Sequence, residues 1–125
     1  MTSQGSAQGR FQRAIQRRNV FAAEMALREM DYISLANALT LTLLLAEAAP
    51  QRFPRAAVRW HARFVEDAKG ITLEDSQLAL SALAALPGRG GGAATAALAQ
   101  LARSYGVPGL EAVFRGHRQA SAGAG

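Results

Sequence analysis

The stretch from Ile33 to Ala49 reads ISLANALTLTLLLAEAA and is the most apolar part of the 125-residue chain. It is seventeen residues long, at the lower limit for a membrane span, and it contains Ser34, Asn37 and Glu47. In a soluble protein, a helix that is apolar on most of its circumference is normally the central one, covered by neighbours on several sides. We therefore expect a central helix here and no membrane association.

The residues on both sides of this segment predict further helices. No run of β-branched residues alternates with polar ones, whereas Ala and Leu recur at intervals of three and four. The sequence therefore predicts an all-α fold, a five-helix bundle of antiparallel helix pairs with a short C-terminal helix. The predicted helices span residues 10–29, 35–49, 54–70, 72–87, 93–105 and 108–115.

Residues that start and stop helices support these bounds. Ser34 and Thr72 are suited to cap the second and fourth helices, because a hydroxyl at that position accepts a hydrogen bond from a free backbone N–H. Pro50 ends the second helix, and Pro54 suits the first turn of the third. Gly70 is suited to the left-handed end of the third helix.

The apolar residues predict which face of each helix points inward. Spacings of three, four and seven residues place a helix position on one face. The predicted inward residues are Phe11, Ile15, Ala22 and Met25 in the first helix; Ala57, Trp60, His61, Phe64, Val65 and Ala68 in the third; and Ala94, Ala97, Leu98, Leu101 and Tyr105 in the fifth.

Two parts of the chain align with each other at an offset of 37 or 38 residues. Ser34–Leu35 aligns with Thr72–Leu73, and Leu45–Ala46 aligns with Leu83–Ala84. A period of this length is typical of helical-hairpin repeats, so a short α-solenoid-like stack is the alternative arrangement. The chain lacks the sequence patterns of tetratricopeptide and ankyrin repeats.

The composition predicts the domain organisation and the compartment. We expect a disordered segment at residues 1–9, a single helical domain at residues 10–118 and a disordered tail at residues 119–125. The first nine residues lack the apolar region of a secretory signal, and the chain has no Cys, so we expect a cytoplasmic protein. The excess of Arg, Ala and Gly, which have GC-rich codons, suggests a bacterial source.

No catalytic residue, metal ligand or cofactor site is identifiable in the sequence. His61 has no second ligand at helical spacing, and His117 lies near the C-terminus. The Gly-rich run at residues 88–92 lacks the features of a phosphate-binding loop and is interpreted as a linker, with anion binding near Arg89 as the weaker alternative. The polar stripe containing Asn37, Thr40 and Glu47 is interpreted as solvent-facing rather than catalytic.

The net charge of +5 is the feature that points to a partner. The cations form two clusters, which are the predicted partner-binding residues: Arg10, Arg13 and Arg17 in the first helix, and Arg52, Arg55, Arg59 and Arg63 in or just before the third. Like charges one helical turn apart repel each other, so an opposite charge is expected near them. Neighbouring acids of the same chain are the simplest source of that charge.

These features favour a non-enzymatic interaction or adaptor protein that binds an acidic protein partner. One alternative is a nucleic-acid-binding protein with a basic surface, although the chain has few aromatic residues that could stack on bases. A second alternative is a homo-oligomeric structural protein.

Overall fold

The computed structural model describes the backbone of residues 6–124 and the side chains of residues 6–117. This part of the chain forms seven α-helices and no strand, which confirms the all-α prediction. The contacts divide the chain into two compact units, Met1–Phe53 and Pro54–Gly125. The single domain predicted at residues 10–118 and the solenoid-like stack stay predictions.

The first unit contains three helices and a short 3-10 turn. The helices are α1 (Ala7–Gln16), α2 (Val20–Arg28) and α3 (Leu35–Ala48), and the turn is Pro50–Arg52. Helix α1 packs against α2, and both pack against α3. Their shared core consists of Phe11, Ala14, Ala23, Ala26, Leu27 and Leu44. Residues 1–5 of the predicted disordered segment lie outside the described residues, and α1 begins three residues before the predicted start.

The prediction of one helix over residues 10–29 is wrong, because the chain turns at Arg17–Asn19. The N–H of Arg18 bonds to the Ile15 carbonyl at 3.0 Å, and that of Asn19 bonds to the Ala14 carbonyl at 2.9 Å. This pair of bonds is a Schellman motif, which requires a left-handed residue, and Arg18 adopts φ 56°. The Asn19 side chain then caps α2 by accepting from the backbone N–H of Ala22 at 3.0 Å.

The turn also changes which residues of α2 are inward. Across the break, a position can no longer be assigned by counting from α1. Ala23, Ala26 and Leu27 are buried, whereas Met25, which was predicted to face inward, is exposed. Ala22 is half-buried against the core.

The predicted start and end of α3 are confirmed. The Ser34 hydroxyl accepts from the backbone N–H of Asn37 at 3.0 Å, and Pro50 begins the 3-10 turn after the helix. Thr42 is buried, and its hydroxyl donates to the Ala38 carbonyl at 2.7 Å, which satisfies it within the helix.

The second unit is built from the rest of the chain. Its helices are α4 (Phe53–Asp67), α5 (Leu73–Ala85), α6 (Gly91–Ser104) and α7 (Glu111–Ala124). Helix α6 packs against α5 and α7. The predicted cap of α5 is confirmed, because the Thr72 hydroxyl accepts from the backbone N–H of Asp75 at 3.0 Å. Gly70 follows α4 with φ 77°, as predicted.

Four of the six residues predicted to face inward on the third helix are buried, and the other two, His61 and Val65, are half-buried. Ala57, Trp60, Phe64 and Ala68 are buried, and the rings of Trp60 and Phe64 stack with their centroids 5.3 Å apart. In α6, Ala94, Leu98 and Leu101 are buried as predicted, while Ala97 and Tyr105 are half-buried.

The last helix differs most from its prediction. Helix α7 begins at Glu111 and continues to Ala124, whereas the sequence predicts a short helix that ends at Arg115. The N-terminal end of α7 packs through Phe114 and through Leu110, the residue before the helix, and both are buried. Gly116, Ser121 and Gly123 lower the intrinsic helix propensity of this segment, which is why its local sequence favours a shorter helix. Gly125 and the side chains of residues 118–124 lie outside the described residues.

Candidate interaction surface

Two of the predicted partner-binding residues form an exposed row on α4. Arg55 and Arg59 lie one helical turn apart, on the side of α4 opposite the buried Trp60 and Phe64. Val58 lies beside them and is 59% exposed. Within the described side chains, neither Arg55 nor Arg59 makes an ion pair. We call Arg55, Val58 and Arg59 the α4 basic face.

Arg63 and Arg52 do not extend this face in the predicted way. Arg63 is half-buried, unlike Arg55 and Arg59, and it has interactions of its own. Arg52 belongs to the first unit, where it makes an ion pair with Glu24 of α2. Arg28 lies one helical turn after Glu24 on α2, a spacing that favours an ion pair, but Glu24 bonds to Arg52 instead.

The cluster on α1 is also divided by an ion pair. Arg10 pairs with Glu29, which joins α1 to the end of α2. Arg13 and Arg17 remain exposed and, in the described part of the chain, make no ion pair. Acids of the same chain therefore neutralise Arg10 and Arg52. They leave Arg13 and Arg17 without an ion pair among the described side chains.

The polar stripe on α3 has structural roles. The amides of Asn37 and Gln8 bond to each other, at 2.8 and 3.3 Å, and so connect α3 to α1. The Thr40 hydroxyl donates to the Ala36 carbonyl at 2.9 Å. Glu47 is exposed and makes an ion pair with Arg18, so this carboxylate does not have the burial that an acid–base role would require.

A Ser–His contact in the second unit has the wrong hydrogen bonding for nucleophilic catalysis. His61 Nε2 lies 2.8 Å from the backbone oxygen of Ser76 and 3.3 Å from its Oγ. Because a carbonyl oxygen only accepts, Nε2 carries the proton and has no lone pair to activate the hydroxyl. His61 is thus a half-buried histidine with a satisfied ring nitrogen, as predicted.

Tyr105 makes a connection that the sequence analysis did not find. Its hydroxyl donates to a carboxylate oxygen of Asp75, and it accepts from the backbone N–H of Thr72 at 3.4 Å. The end of α6 is thereby tied to the start of α5. The contact joins residues thirty positions apart, so no local pattern signals it.

The Gly-rich run forms a tight turn between α5 and α6. The N–H of Gly88 bonds to the Ala85 carbonyl and that of Gly91 to the Gly88 carbonyl, both at 3.1 Å. Gly91 is the first residue of α6 and is buried. An alanine Cβ at position 91 would stand 2.6 Å from the carbonyl oxygen of Leu86. This close approach requires a glycine for its size rather than for its flexibility.

Among the side chains that the structure describes, His117 has an environment that shifts its pKa. It is half-buried on α7, and its Nε2 is buried without a hydrogen-bond partner in the described structure. Burial lowers the pKa of His117 from its usual value of 6.5, while a hydrogen bond with the Leu86 backbone opposes the shift. A single imidazole at a packed surface is insufficient to form a metal or catalytic site.

Other features of the described residues identify no ligand. No group of three or more His, Asp or Glu side chains is arranged to hold a metal ion among them. In the same part of the chain, no helix has the length and apolarity needed to cross a membrane. An open depression of about 410 Å³ lies between α6 and α7, with Arg103 and Glu111 at its rim, 3.8 Å apart.

Comparisons with known proteins add no family. No protein-family model matches the chain, and no curated protein or solved structure is significantly similar to it.

Proposed function

We propose that the protein is a non-enzymatic interaction module that binds an acidic protein partner through the α4 basic face. The observation that carries the proposal is the pair Arg55 and Arg59, which are exposed, one turn apart and without an ion pair among the described side chains. Two guanidinium groups at this spacing repel each other in the free protein, and an anionic partner relieves that repulsion.

The surroundings of the two cations favour a protein partner. Val58 provides apolar contact area beside them, and interfaces combine apolar contacts with Arg at their centre. The sole tryptophan of the chain, Trp60, is buried on the other side of α4 and offers no stacking surface for bases. Guanidinium forks also bind carboxylates in a bidentate way, which suits aspartate and glutamate side chains.

The experiment is affinity capture of the tagged protein from lysate after nuclease treatment, compared between the wild type and the double variant Arg55→Glu/Arg59→Glu. A matched control is Arg89→Glu/Arg115→Glu, which changes the net charge equally at two other exposed positions. We expect the α4 variant to lose the captured protein, with affinity reduced about tenfold or more, and the control to keep it.

Two results would contradict the proposal. Equal loss in both double variants would indicate that only net charge matters. Loss of all captured material after nuclease treatment, with binding that falls steeply between about 50 and 200 mM salt, would instead favour the nucleic-acid alternative.

Self-association is the second candidate function, favoured by exposed leucines on α5. Leu73 is 72% exposed, and Leu80 lies two turns further along the same outer side. Exposed leucines in such a row are a common contact in helical oligomers. Light scattering at rising protein concentration tests this candidate. The candidate is contradicted if the wild-type protein keeps the mass of a monomer at every concentration, as the variant Leu73→Ser/Leu80→Ser should.

A further inference from the structure

The exposed side of α4 carries an acid as well as cations. Ala62 and Glu66 continue the line of Arg55 and Arg59, because the spacing i, i+4, i+7, i+11 keeps residues on one helix face. All four residues are exposed, on the side of α4 opposite the buried Trp60. We call Arg55, Arg59, Ala62 and Glu66 the α4 row. It has two cations at one end, a small side chain in the middle and a carboxylate at the other end.

The charges of α4 have the unfavourable order for a helix. Arg55 lies in the first turn, and Glu66 and Asp67 lie in the last; the first turn has no acid and the last turn has no base. Backbone dipoles make the start of a helix positive and its end negative, so both ends of α4 carry side chains of the repelled sign. Lys69, in the turn after the helix, opposes part of the acidic charge. The isolated helix therefore does not favour this order of charges.

The charges of the α4 row are unpaired among the described side chains. Glu66 and Asp67 make no ion pair there, and the same holds for the two cations of the row. Arg59 and Glu66 lie two turns apart, about 10 Å along the axis, which is too far for them to pair with each other. Arg63, three residues before Glu66, is half-buried and has interactions of its own. The row thus presents separate regions of opposite charge.

We propose that the acidic partner of the α4 basic face is the acidic end of α4 in a second copy of the chain, bound as an antiparallel helix pair. This assignment rests on the function proposed above, because it names the partner of the same surface. In a pair centred near Ala62, Arg59 of each copy lies opposite Glu66 of the other. A two-fold axis forms both contacts at once, since the two copies use the same surface.

The middle of the α4 row suits a close helix pair. The distance between two packed helices depends on the side chains at their contact, and Ala62 is small enough for the two backbones to approach closely. Val58, beside the row, is 59% exposed and adds apolar contact area. Arg55 lies one turn beyond Arg59, so its guanidinium adds positive charge near the same carboxylate of the second copy.

The acid in the α4 row disfavours the other partners. A uniformly acidic protein or the phosphates of a nucleic acid would attract Arg55 and Arg59, but Glu66 and Asp67 would repel them. An anionic lipid surface meets the same repulsion. A second copy in the antiparallel orientation supplies an acid opposite the cations and a cation opposite the acid.

The test is sedimentation equilibrium of the purified full chain over about 0.01 to 1 mM. We expect a dimer with a Kd of about 0.1 mM, because one helix pair buries less area than a permanent dimer. Arg59→Glu and Glu66→Arg should each weaken the dimer about tenfold or more, since each places like charges opposite each other. The double variant Arg59→Glu/Glu66→Arg restores opposite charges without changing the net charge. Its Kd should return to within about threefold of the wild-type value.

Matched measurements separate this contact from other causes. Arg89→Glu makes the same charge change as Arg59→Glu at an exposed position outside α4, and it should leave the Kd within about threefold of the wild-type value. Unfolding does not produce the expected losses, because Glu at position 59 lies one turn from Arg55 and from Arg63, and Arg at position 66 has the favourable sign for the end of a helix. Circular dichroism should show the wild-type helix content in each variant.

Three outcomes would overturn the proposal. The first is a wild type that remains a monomer up to about 1 mM. The second is a double variant Arg59→Glu/Glu66→Arg that associates as weakly as the single variants, since the two residues would then not oppose each other. The third is association that Leu73→Ser/Leu80→Ser abolishes and Arg59→Glu leaves unchanged, which assigns the contact to α5.

Failure of this proposal differs from failure of the proposed function. A monomeric wild type, together with a lysate protein that Arg55→Glu/Arg59→Glu no longer captures, would show that the α4 basic face binds a different protein. In that case only the second copy is the wrong partner. A monomeric wild type with no captured protein that depends on these two residues would contradict both.

Discussion

The turn between α5 and α6 allows a test of packing, because one of two adjacent glycines is packed against a backbone carbonyl and the other has open space beside it. A Cβ added at Gly91 would lie 2.6 Å from the Leu86 carbonyl oxygen and 3.6 Å from the carbonyl carbon. At Gly92, the next residue of α6, an added Cβ would meet nothing within 4 Å. The substitutions Gly91→Ala and Gly92→Ala therefore make the same chemical change with different steric consequences.

The two substitutions should change the free energy of unfolding in opposite directions. Replacing a helical glycine by alanine stabilises by about 0.5–1 kcal/mol, since alanine has the higher helix propensity. At position 91 the backbone must shift by more than half an ångström to restore ordinary contact, and overpacking of this kind costs about 1–3 kcal/mol. We expect Gly91→Ala to lower the free energy of unfolding by about 1–2 kcal/mol and Gly92→Ala to raise it by up to about 0.5 kcal/mol.

The assay is urea unfolding followed by the fluorescence of Trp60, the sole tryptophan of the chain, which lies in the same unit as α6. The midpoint should move in opposite directions for the two variants with an unchanged slope. A Gly91→Ala protein as stable as Gly92→Ala would refute the reasoning, because the close approach to Leu86 would then impose no steric requirement.

Three further predictions concern single contacts. Arg18→Gly should be more stable than Arg18→Ala by about 1 kcal/mol in thermal unfolding, because both lose the Glu47 pair and only glycine accepts the left-handed φ without strain. Tyr105→Phe should lower the free energy of unfolding in urea by about 0.5–1.5 kcal/mol through loss of its bond to Asp75, and an unchanged value would contradict that role. The lowered pKa of His117 means that the unfolded chain binds a proton more readily. Stability should therefore fall as the pH drops below about 6.5, level off below the folded-state pKa, and show a weaker dependence in His117→Gln.

Local signals explain which parts of the fold were predictable. Ser34 and Thr72 act within three residues of their own positions, so their capping bonds follow from the sequence next to them. The turn at Arg18 was missed because arginine is uncommon in the left-handed region, and the apolar spacing continues across it by coincidence. Asn19 was the available signal, since it is a favoured N-cap residue.

The candidate surface was only partly predictable, because its charges depend on contacts distant in the sequence. The spacing of Arg55 and Arg59 places them on one helix face, which the structure shows to be exposed. The pairing of Arg10 with Glu29 and of Arg52 with Glu24 joins residues nineteen and twenty-eight positions apart. No helical periodicity specifies such pairs, so the sequence overstates the number of cations that remain without an acid.

At the offset of the predicted internal repeat, α4 and α6 agree in burial although their residues differ in type. Helices α5 and α7 begin 38 and 76 positions after Leu35 of α3, and α6 begins 38 positions after Phe53 of α4. At this offset, the buried residues Phe53, Ala57, Trp60 and Phe64 of α4 correspond to the buried residues Gly91, Thr95, Leu98 and Ala102 of α6. An offset of 37 would instead pair Phe53 with the exposed Gly90. Aromatic side chains in α4 thus hold positions that small ones hold in α6, where Gly91 lets the Leu86 carbonyl approach closely. The agreement in burial does not extend to α3 and α5, where the buried Leu35, Leu39 and Thr42 correspond to the exposed Leu73, Gln77 and Leu80. Because burial follows the offset in one pair of helices and not in the other, the internal repeat stays a prediction.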